Sequence, residues 1–266
     1  MSENFNSKNF TIVTACRNRL FNLKEVIKSW ADEAPFEIII IDWGSDQKIK
    51  YEDFDESIRS LLKIYRNESD KWILTWAFNA GLSKVKTKFT VKLDCDHLIK
   101  KGFLEKNQCL SKSFRKASWR FTSEDQAHIN GAFISCSELL KDIGFFNERI
   151  TTYGWDDSDI YKRLFDHSLR FELIDAEYIE HINQSEDTRT VNQKVSLETL
   201  LSNRLDCKLT HFLIRRNENL VKLYDYDWGK ITYQNGYEKK EIIDNHPKHL
   251  LFKEISNLQT FILLKK

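Results

Sequence analysis

The sequence predicts an α/β fold in which a doubly wound, mostly parallel sheet is covered by helices on both faces. Segments with the pattern of β-strands at 9–15, 36–41 and 89–93 alternate with segments of helical periodicity. In such an alternation the connections are right-handed crossovers, and the strands that they join lie parallel. The stretch from 191 to 266 has a different pattern and is predicted to form a C-terminal α+β extension.

The first strand, 9–15, leads through a polar loop into a helix with one apolar face. The residues that recur at helical spacing are Leu20, Leu23, Val26, Ile27 and Trp30. Asn22 and Glu25 are placed to act as its N-cap and capping partner. The second strand, 36–41, is a nearly continuous, β-branched apolar run, which is typical of a strand buried on both faces.

The segment between 58 and 66 allows two interpretations. Its apolar residues from Ile58 to Tyr65 would share one face of a helix, whereas 63–66 could instead form a third strand. Residues 75–84 are predicted to be helical. In the strand that follows, Phe89, Val91 and Leu93 alternate with polar residues, which predicts packing on one face.

Beyond residue 101 the pattern is less regular. Residues 130–135 are a candidate strand, and Ser137 is placed to cap a short helix that Gly144 ends. A further helix is predicted after the acidic residues at 156–159, and short strands at 171–174 and 178–181. From about residue 192 we expect one helical stretch and then a hairpin-like alternation over 220–234.

Composition limits the partners that the chain can be expected to bind. The 41 basic and 40 acidic residues leave a formal charge of +1, which gives no electrostatic reason to expect nucleic acid as a partner. The N-terminus lacks the features of a signal peptide, and no run approaches about 18 apolar residues, so no transmembrane segment is expected. Five cysteines without close pairs indicate reduced thiols and a cytoplasmic location, with peripheral membrane contact by the tail left open. The oligomeric state is not predicted.

Two carboxylates, Asp94 and Asp96, follow the strand at 89–93. The carboxyl ends of strands in an open α/β sheet form the crevice where ligands bind. If the chain turns at Cys95, both acids can face one ligand, and hard oxygen ligands suit Mg²⁺ or Mn²⁺. A solvated turn is the alternative interpretation of the pair.

Four short motifs occur in a fixed order along the chain. They are TACRN at 14–18, DWGS at 42–45, DCD at 94–96 and GWDDSD at 154–159, and NGAF at 130–133 and IGFFNE at 143–148 precede the last one. The set resembles nucleotide-sugar glycosyltransferases of the GT-A fold, the large family-2-like group, with a galactosyltransferase-like acidic motif. The resemblance covers roughly 9–185 and implies a catalytic domain over 1–190, with 191–266 contacting acceptor, lid or oligomer partner.

The resemblance implies a role for each matching residue. Asp157 corresponds to the general base, and Asp156 stands where glutamate is usual, one methylene shorter. Asp96, Asp94 and His181 would hold Mn²⁺ or Mg²⁺. The residues that would line the site of the UDP-sugar donor are Thr14, Ala15, Arg17, Asp42, Asn79, Asp94 and Trp155.

The chemistry of a sugar diphosphate is consistent with these assignments. A divalent ion neutralises the charge of the leaving nucleotide, and a carboxylate accepts the proton of the attacking hydroxyl. We therefore expect a metal-dependent inverting glycosyltransferase that moves a hexose-type sugar from a UDP-sugar to a glycan or glycolipid acceptor, as in polysaccharide biosynthesis.

Other interpretations remain open at this point. The acids at 156–159 could merely stabilise a helix N-terminus, and His181 could be an ordinary core histidine. A non-catalytic sugar-nucleotide-binding protein of the same fold would share every motif. A phosphatase with an aspartate nucleophile is less favoured, because its Asp-x-Asp pair is expected at the first strand.

Overall fold

The computed structural model describes residues 5–182, 197–216, 231–235 and 238–242. The strands of this part of the chain are β1 Phe10–Cys16, β2 Glu37–Trp43, β3 Leu62–Asn67, β4 Phe89–Lys92, β5 His97–Ile99, β6 Ser113–Lys116, β7 Phe133–Cys136, β8 Arg170–Leu173, β9 Ile179–His181, β10 Ile231–Asn235 and β11 Glu238–Ile242. The helices are α1 Leu20–Asp32, α2 Glu56–Arg59, α3 Leu74–Leu82, α4 Phe103–Lys106, α5 Ser137–Asp142, α6 Asp156–His167 and α7 Leu197–Arg216. Short 3₁₀ helices include Glu124–Gly131.

Nine of these strands form one sheet in the order β11-β10-β3-β2-β1-β4-β7-β6-β8. From β3 to β8 four neighbouring pairs are parallel and two, β4–β7 and β6–β7, are antiparallel. The predicted α/β class with a mostly parallel sheet is thus confirmed over these seven strands. The hairpin of β10 and β11 adds to the outer edge of β3 in antiparallel orientation.

Two apolar layers cover the sheet. Helix α1 packs on one face, where Leu23, Val26 and Trp30 are fully buried. Helix α3 packs on the other, with Ala77 and Phe78 against residues of β2. Helices pack on both faces of β1 and β2. These strands are therefore buried along their whole lengths, apart from the first residue of β2.

The register brings the carboxyl ends of the central strands to one edge. In the parallel pair of β1 and β4, Val13 lies opposite Lys92, and the Leu93 amide donates to the Val13 carbonyl at 3.1 Å. A separate two-stranded sheet pairs β5 with β9 and sets His97 opposite His181. The loops after β1 and β4 and the end of β9 therefore share one region.

Several element boundaries differ from those that the sequence predicts. Residues 62–67 form a strand with alternating burial, so the third-strand interpretation is right and the helix before it, α2, has only four residues. Helix α1 begins at Leu20, ahead of Asn22, so the predicted N-cap is wrong; Arg19 holds that position without a side-chain cap.

The second half shows similar shifts. The strand expected at 130–135 begins only at Phe133, because the residues before it form a 3₁₀ helix. Ser137 lies inside α5, and its hydroxyl is 2.7 Å from that of Thr90. The described strands of the terminal hairpin are 231–235 and 238–242; of the alternation predicted over 220–234, residues 220–230 lie outside the described residues.

Candidate active site

The acidic pair lies in a turn directly after β4. The strand ends at Lys92, and the His97 amide donates to the Asp94 carbonyl at 3.0 Å, which reverses the chain. Cys95 points into the core and is 4% exposed, whereas the side chain of Asp94 is 29% exposed. The turn at Cys95 on which the predicted ligand site depends is therefore present.

Asp96 is the most enclosed acid of this turn. Its side chain is 3% exposed, and its Oδ2 lies 3.1 Å from Arg19 Nη1 and 3.4 Å from His181 Nε2. Although burial opposes ionisation, the bond with His181 and the nearby positive charges lower the pKa of Asp96 below its ordinary value. Asp96 and His181, two predicted metal ligands, are thus adjacent in space although 85 positions apart in sequence.

His97 also lies beside the pair, which the sequence did not single out. One ligand atom each of Asp94, Asp96 and His97 fall within 4.8 Å of one another. Both ring nitrogens of His97 are already used, since Nδ1 accepts from the Asp94 amide at 3.1 Å and Nε2 lies 3.1 Å from the His128 carbonyl. Burial lowers the pKa of His97, so the ring is neutral with its proton on Nε2. His97 therefore shapes the turn, and the metal-ligand role of His181 stays a prediction.

The second acidic motif opens helix α6. Trp155 holds the N-cap position with φ of 72°, and Asp156, Asp157 and Asp159 lie in the first turn. Asp159 is fully buried and pairs with Arg163, whose Nη1 also donates to the carbonyls of Ile143 and Phe145 at 2.7 and 2.6 Å. Asp159 therefore holds Arg163, which anchors the helix to the preceding loop.

A buried lysine joins the two acidic motifs. The side chain of Lys92 is 2% exposed, with Nζ 2.9 Å from Asp94 Oδ1 and 4.4 Å from the centre of the Phe78 ring. Although burial opposes its charge, attraction by Asp94, Asp157 and Asp156 raises the pKa of Lys92 above its ordinary value. The carboxylates that open α6 therefore lie within electrostatic range of the lysine that contacts Asp94.

The pKa of Asp157 is strongly raised. Burial and the neighbouring Asp156 carboxylate raise the pKa of Asp157 from 3.8 to about 8, against the attraction of Lys92. Its Oδ1 is buried and has no hydrogen-bond partner among the described residues. The pKa of Asp156 is also raised, chiefly by burial. A carboxylate with a pKa near neutrality and a free oxygen has the properties of a general base.

Lys92 and Gly131 are parts of this site that sequence reasoning missed. The signal for Lys92 was a charged residue inside a strand, where full burial requires a partner. A Cβ on Gly131 would lie 2.4 Å from Asp94 Oδ2 and 3.0 Å from Lys92 Nζ, so only glycine leaves room for this pair. Nothing in the sequence marked that close approach.

The residues predicted to line the nucleotide site end β1 and β2. Thr14 is fully buried, and its hydroxyl has no partner within the described part of the chain; Ala15 is 5% exposed. The Arg17 guanidinium donates to the carbonyls of Ser69 and Asp70 at 3.3 and 2.7 Å, so it ties the loop after β1 to the loop after β3.

Asp42 is fully buried at the end of β2. Its Oδ2 accepts from Arg66 Nη1 at 2.7 Å and from the Ile49 amide at 3.0 Å, and its Oδ1 accepts from the Ser45 amide at 3.3 Å. Both oxygens are thus used within the protein. Contact between Asp42 and a nucleotide would replace one of these bonds, and that role stays a prediction.

Asn79 also has internal partners. It is fully buried in α3, where its amide bonds the Phe146 carbonyl and amide at 3.0 and 2.8 Å and Glu148 Oε1 at 2.7 Å. Its contact with a nucleotide stays a prediction, as for Asp42. Asn79 fixes the 146–148 loop that leads towards the second acidic motif.

Part of the chain matches a known protein family. Residues 11–108 match the family model described as glycosyl transferase family 2. No curated protein matches the chain. No helix of the described residues is both long enough and apolar enough to span a membrane.

Three solved structures are similar to the chain at low sequence identity. Staphylococcus aureus TarS 1–349 in complex with UDP-GlcNAc shares 15% identity, with a TM-score of 0.56 over 80% of this chain and 70% of its own. The catalytic domain of Drosophila β1,4-galactosyltransferase 7 in complex with xylobiose shares 11%, with a TM-score of 0.53 over 88% and 94%. GalNAc-T7 with UDP, GalNAc and Mn²⁺ shares 15%, with a TM-score of 0.55 over 70% and 44%.

These comparisons bear on the resemblance seen in the sequence. The match to the family model covers residues 11–108, and the similar structures confirm the predicted GT-A fold. The similar structures include complexes with a UDP-sugar and with a carbohydrate.

Proposed function

From a family-2 glycosyltransferase segment in a GT-A fold, we propose a metal-dependent inverting hexosyltransferase that uses a UDP-sugar donor. The acceptor is the hydroxyl of a glycan or glycolipid, as in polysaccharide biosynthesis. One observation carries the proposal: the buried Lys92 Nζ lies 2.9 Å from Asp94 Oδ1, and Asp157 and Asp156 also act to raise the pKa of this lysine. Asp94, proposed to lie beside the diphosphate, and Asp157, the candidate base, are thus close enough to interact electrostatically.

The residues of the first motif fit a divalent cation. Asp96, Asp94 and His181 offer two carboxylates and one imidazole, a donor set compatible with Mn²⁺ and, for the oxygens, Mg²⁺. Asp96 is already ionised and held by Arg19 and His181. When bound, such a cation supplies charge neutralisation for the leaving diphosphate.

Asp157 is proposed as the general base. Its unpartnered Oδ1 is free to accept a hydrogen bond from an acceptor hydroxyl, and transfer of that proton contributes roughly 10² to 10⁴-fold to the rate. Asp156 would position the acceptor beside it. Attack from the side opposite the leaving nucleotide inverts the anomeric centre.

The nucleotide is proposed to lie at the carboxyl ends of β1 and β2. The backbone from Thr14 to Arg17 would line the base, with Asp42 below it, and Trp155 would lie between the donor sugar and the acceptor. The complexes of TarS with UDP-GlcNAc and of GalNAc-T7 with UDP support a uridine nucleotide. A cytoplasmic location, with peripheral membrane contact if the acceptor is a lipid, also remains part of the proposal.

The substitution Asp157→Asn tests the assignment of the base. We expect sugar transfer to fall at least about 10²-fold, because an amide cannot accept the proton. Binding of UDP with Mn²⁺, measured by calorimetry, should stay close to the wild-type value. Asp166→Asn, at the other end of the same helix and paired with Lys162, is the matched control and should keep full activity.

Two outcomes would contradict the proposal. If Asp157→Asn lost UDP binding together with transfer, Asp157 would be structural. If the product of the wild-type enzyme retained the donor's anomeric configuration by proton NMR, a base acting on the acceptor in one displacement would be the wrong mechanism.

A further inference from the structure

Helix α7, in the C-terminal extension, contacts the loop that precedes the second acidic motif. Asn203 is 4% exposed, and its Nδ2 lies 2.9 Å from Thr152 Oγ1 and 3.3 Å from the carbonyls of both Tyr153 and Gly154. One buried amide thus bonds three consecutive residues. Neither the proposed base nor the proposed metal ligands come from this helix.

The segment that Asn203 holds has an unusual backbone. Gly154 and Trp155 are consecutive residues with φ of 99° and 72°. Left-handed backbone is unfavourable for a bulky side chain such as that of Trp155, so surrounding contacts must maintain it. Asn203 bonds the carbonyl of Gly154, immediately before Trp155.

Further contacts come from the same helix. Leu200 packs so closely that a Cβ on Gly154 would lie 3.0 Å from its Cδ2. The Arg204 guanidinium carbon lies 5.4 Å from the centre of the Trp155 ring, within the range of a cation–π contact. Trp155 remains 36% exposed and immediately precedes Asp156 and Asp157. Helix α7 therefore contacts a partly exposed ring next to the proposed base.

We propose that Asn203 and Arg204 are positioning residues that fix Trp155 and the start of α6 for acceptor binding. The inference rests on the proposed function, because it assumes that an acceptor sugar binds beside Asp157. Asn203 sets the backbone through three bonds, and Arg204 sets the ring plane. The extension thereby contributes to the acceptor side of the site, whereas the metal ligands after β4 and in β9 lie outside its contacts with this loop.

The test compares four variants of the full-length protein. Asn203→Ala removes the three bonds, Asn203→Gln keeps the amide on a longer side chain, and Arg204→Gln removes the charge over the ring. Ser202→Ala, at an exposed position of the same helix, is the matched control. Each is assayed with the short fluorescent oligosaccharide that the wild-type enzyme extends fastest.

We expect Asn203→Ala to lower kcat/KM for the acceptor by about 10- to 100-fold, as for a small misplacement of a bound group. UDP binding with Mn²⁺ should be unchanged, Asn203→Gln should recover part of the loss, and Ser202→Ala should behave as wild type. With 5-fluorotryptophan in the protein, the ¹⁹F resonance of Trp155, assigned through Trp155→Phe, should shift or broaden in Asn203→Ala and in Arg204→Gln.

Other results would overturn the proposal. An unchanged acceptor kcat/KM in Asn203→Ala, or a loss of activity with an unchanged Trp155 resonance, would show that these residues do not act through Trp155. Equal loss of acceptor use and UDP binding would indicate a general structural role. If the wild-type enzyme transfers no sugar at all, the proposed function fails, whereas the ¹⁹F comparison still tests the contact itself.

Discussion

At the scale of single residues, the site is organised by one buried cation. Lys92 is nearly inaccessible, contacts Asp94 directly and attracts Asp156 and Asp157. An uncompensated buried charge is costly, so these acids stabilise Lys92 and Lys92 keeps them together. The two motifs that the sequence separates by about 60 positions meet for this reason.

The raised pKa of Asp157 predicts a pH dependence of stability. In the unfolded chain the carboxyl loses its proton near its ordinary pKa of 3.8, and in the folded protein near 8. Between these values the folded state holds one proton more, so the free energy of unfolding from this group falls as pH rises and levels off above about 8. Asp157→Asn should remove this decline. Denaturant titrations between pH 5 and pH 8.5 measure it, and a variant that declines as steeply as wild type would contradict the assignment.

We expect Arg19 and a bound cation to compete for Asp96. The guanidinium is 3.1 Å from Asp96 Oδ2, where a bound cation would need the same oxygen. Removing a partly exposed ion pair of this kind is worth up to about 1 kcal/mol, so Arg19→Ala should bind Mn²⁺ up to about fivefold more tightly in the absence of nucleotide. Paramagnetic resonance of free Mn²⁺ measures the affinity. Arg17→Ala, whose guanidinium bonds loop carbonyls instead, is the control, and weaker Mn²⁺ binding by Arg19→Ala would argue against Asp96 as a ligand.

Among the strands and helices, the sequence predicted those whose apolar residues recur at regular spacing. The strands β1, β2 and β4 and the helices α1, α3 and α6 follow from apolar spacing and lie close to their expected positions. The short β3 was ambiguous because a short apolar run fits a helix or a strand equally well. The pairing of β5 with β9, which brings His181 to Asp96, could not be predicted, since neither three-residue strand has a period of its own.

The turn after β2 offers a prediction about backbone geometry. Gly44 has φ of 66°, and a Cβ there would lie 1.9 Å from the Ser69 carbonyl oxygen. Gly102 also has positive φ, 89°, but its nearest neighbour would be a Tyr178 ring carbon at 3.6 Å. Gly102→Ala should therefore cost about 1–2 kcal/mol from conformation alone.

Gly44→Ala should cost about 1–3 kcal/mol more than Gly102→Ala, because a backbone carbonyl must also move. Chemical denaturation of both variants measures the difference. Equal losses would mean that the 69–70 loop shifts freely and that Gly44 does not fix it beside Arg17.

For the whole molecule, the fold and the shared edge of the sheet that carries the loops were predictable. The side chains that bond Asp42 and Asn79 within the protein were not. The order of strands and helices determines that loops after β1, β2 and β4 share an edge. That Asp42 pairs with Arg66, or that Asn79 holds a loop, depends on side chains from elements distant in sequence. Residues that match a motif can therefore serve the scaffold as well as the ligand.

The contacts of the C-terminal extension could not be predicted from the sequence either. Its change of pattern predicted a separate region from 191, and that boundary stays a prediction. In the structure β10 pairs with β3 of the main sheet, and α7 contacts the loop before α6. Long-range pairing of this kind leaves no local signal in the sequence.

The most direct measurement of the central claim is a thermal-shift comparison of UDP, GDP, CDP and ADP, each with and without Mn²⁺. A ligand that binds only the folded state stabilises it by about 2.7 kcal/mol at 100 times its dissociation constant. We predict a clear rise in melting temperature for UDP with Mn²⁺, little or none for the other nucleotides, and loss of the rise in Asp96→Asn. Equal shifts with every nucleotide, or a UDP shift that neither metal removal nor Asp96→Asn diminishes, would contradict a metal-dependent uridine-nucleotide site at this edge of the sheet.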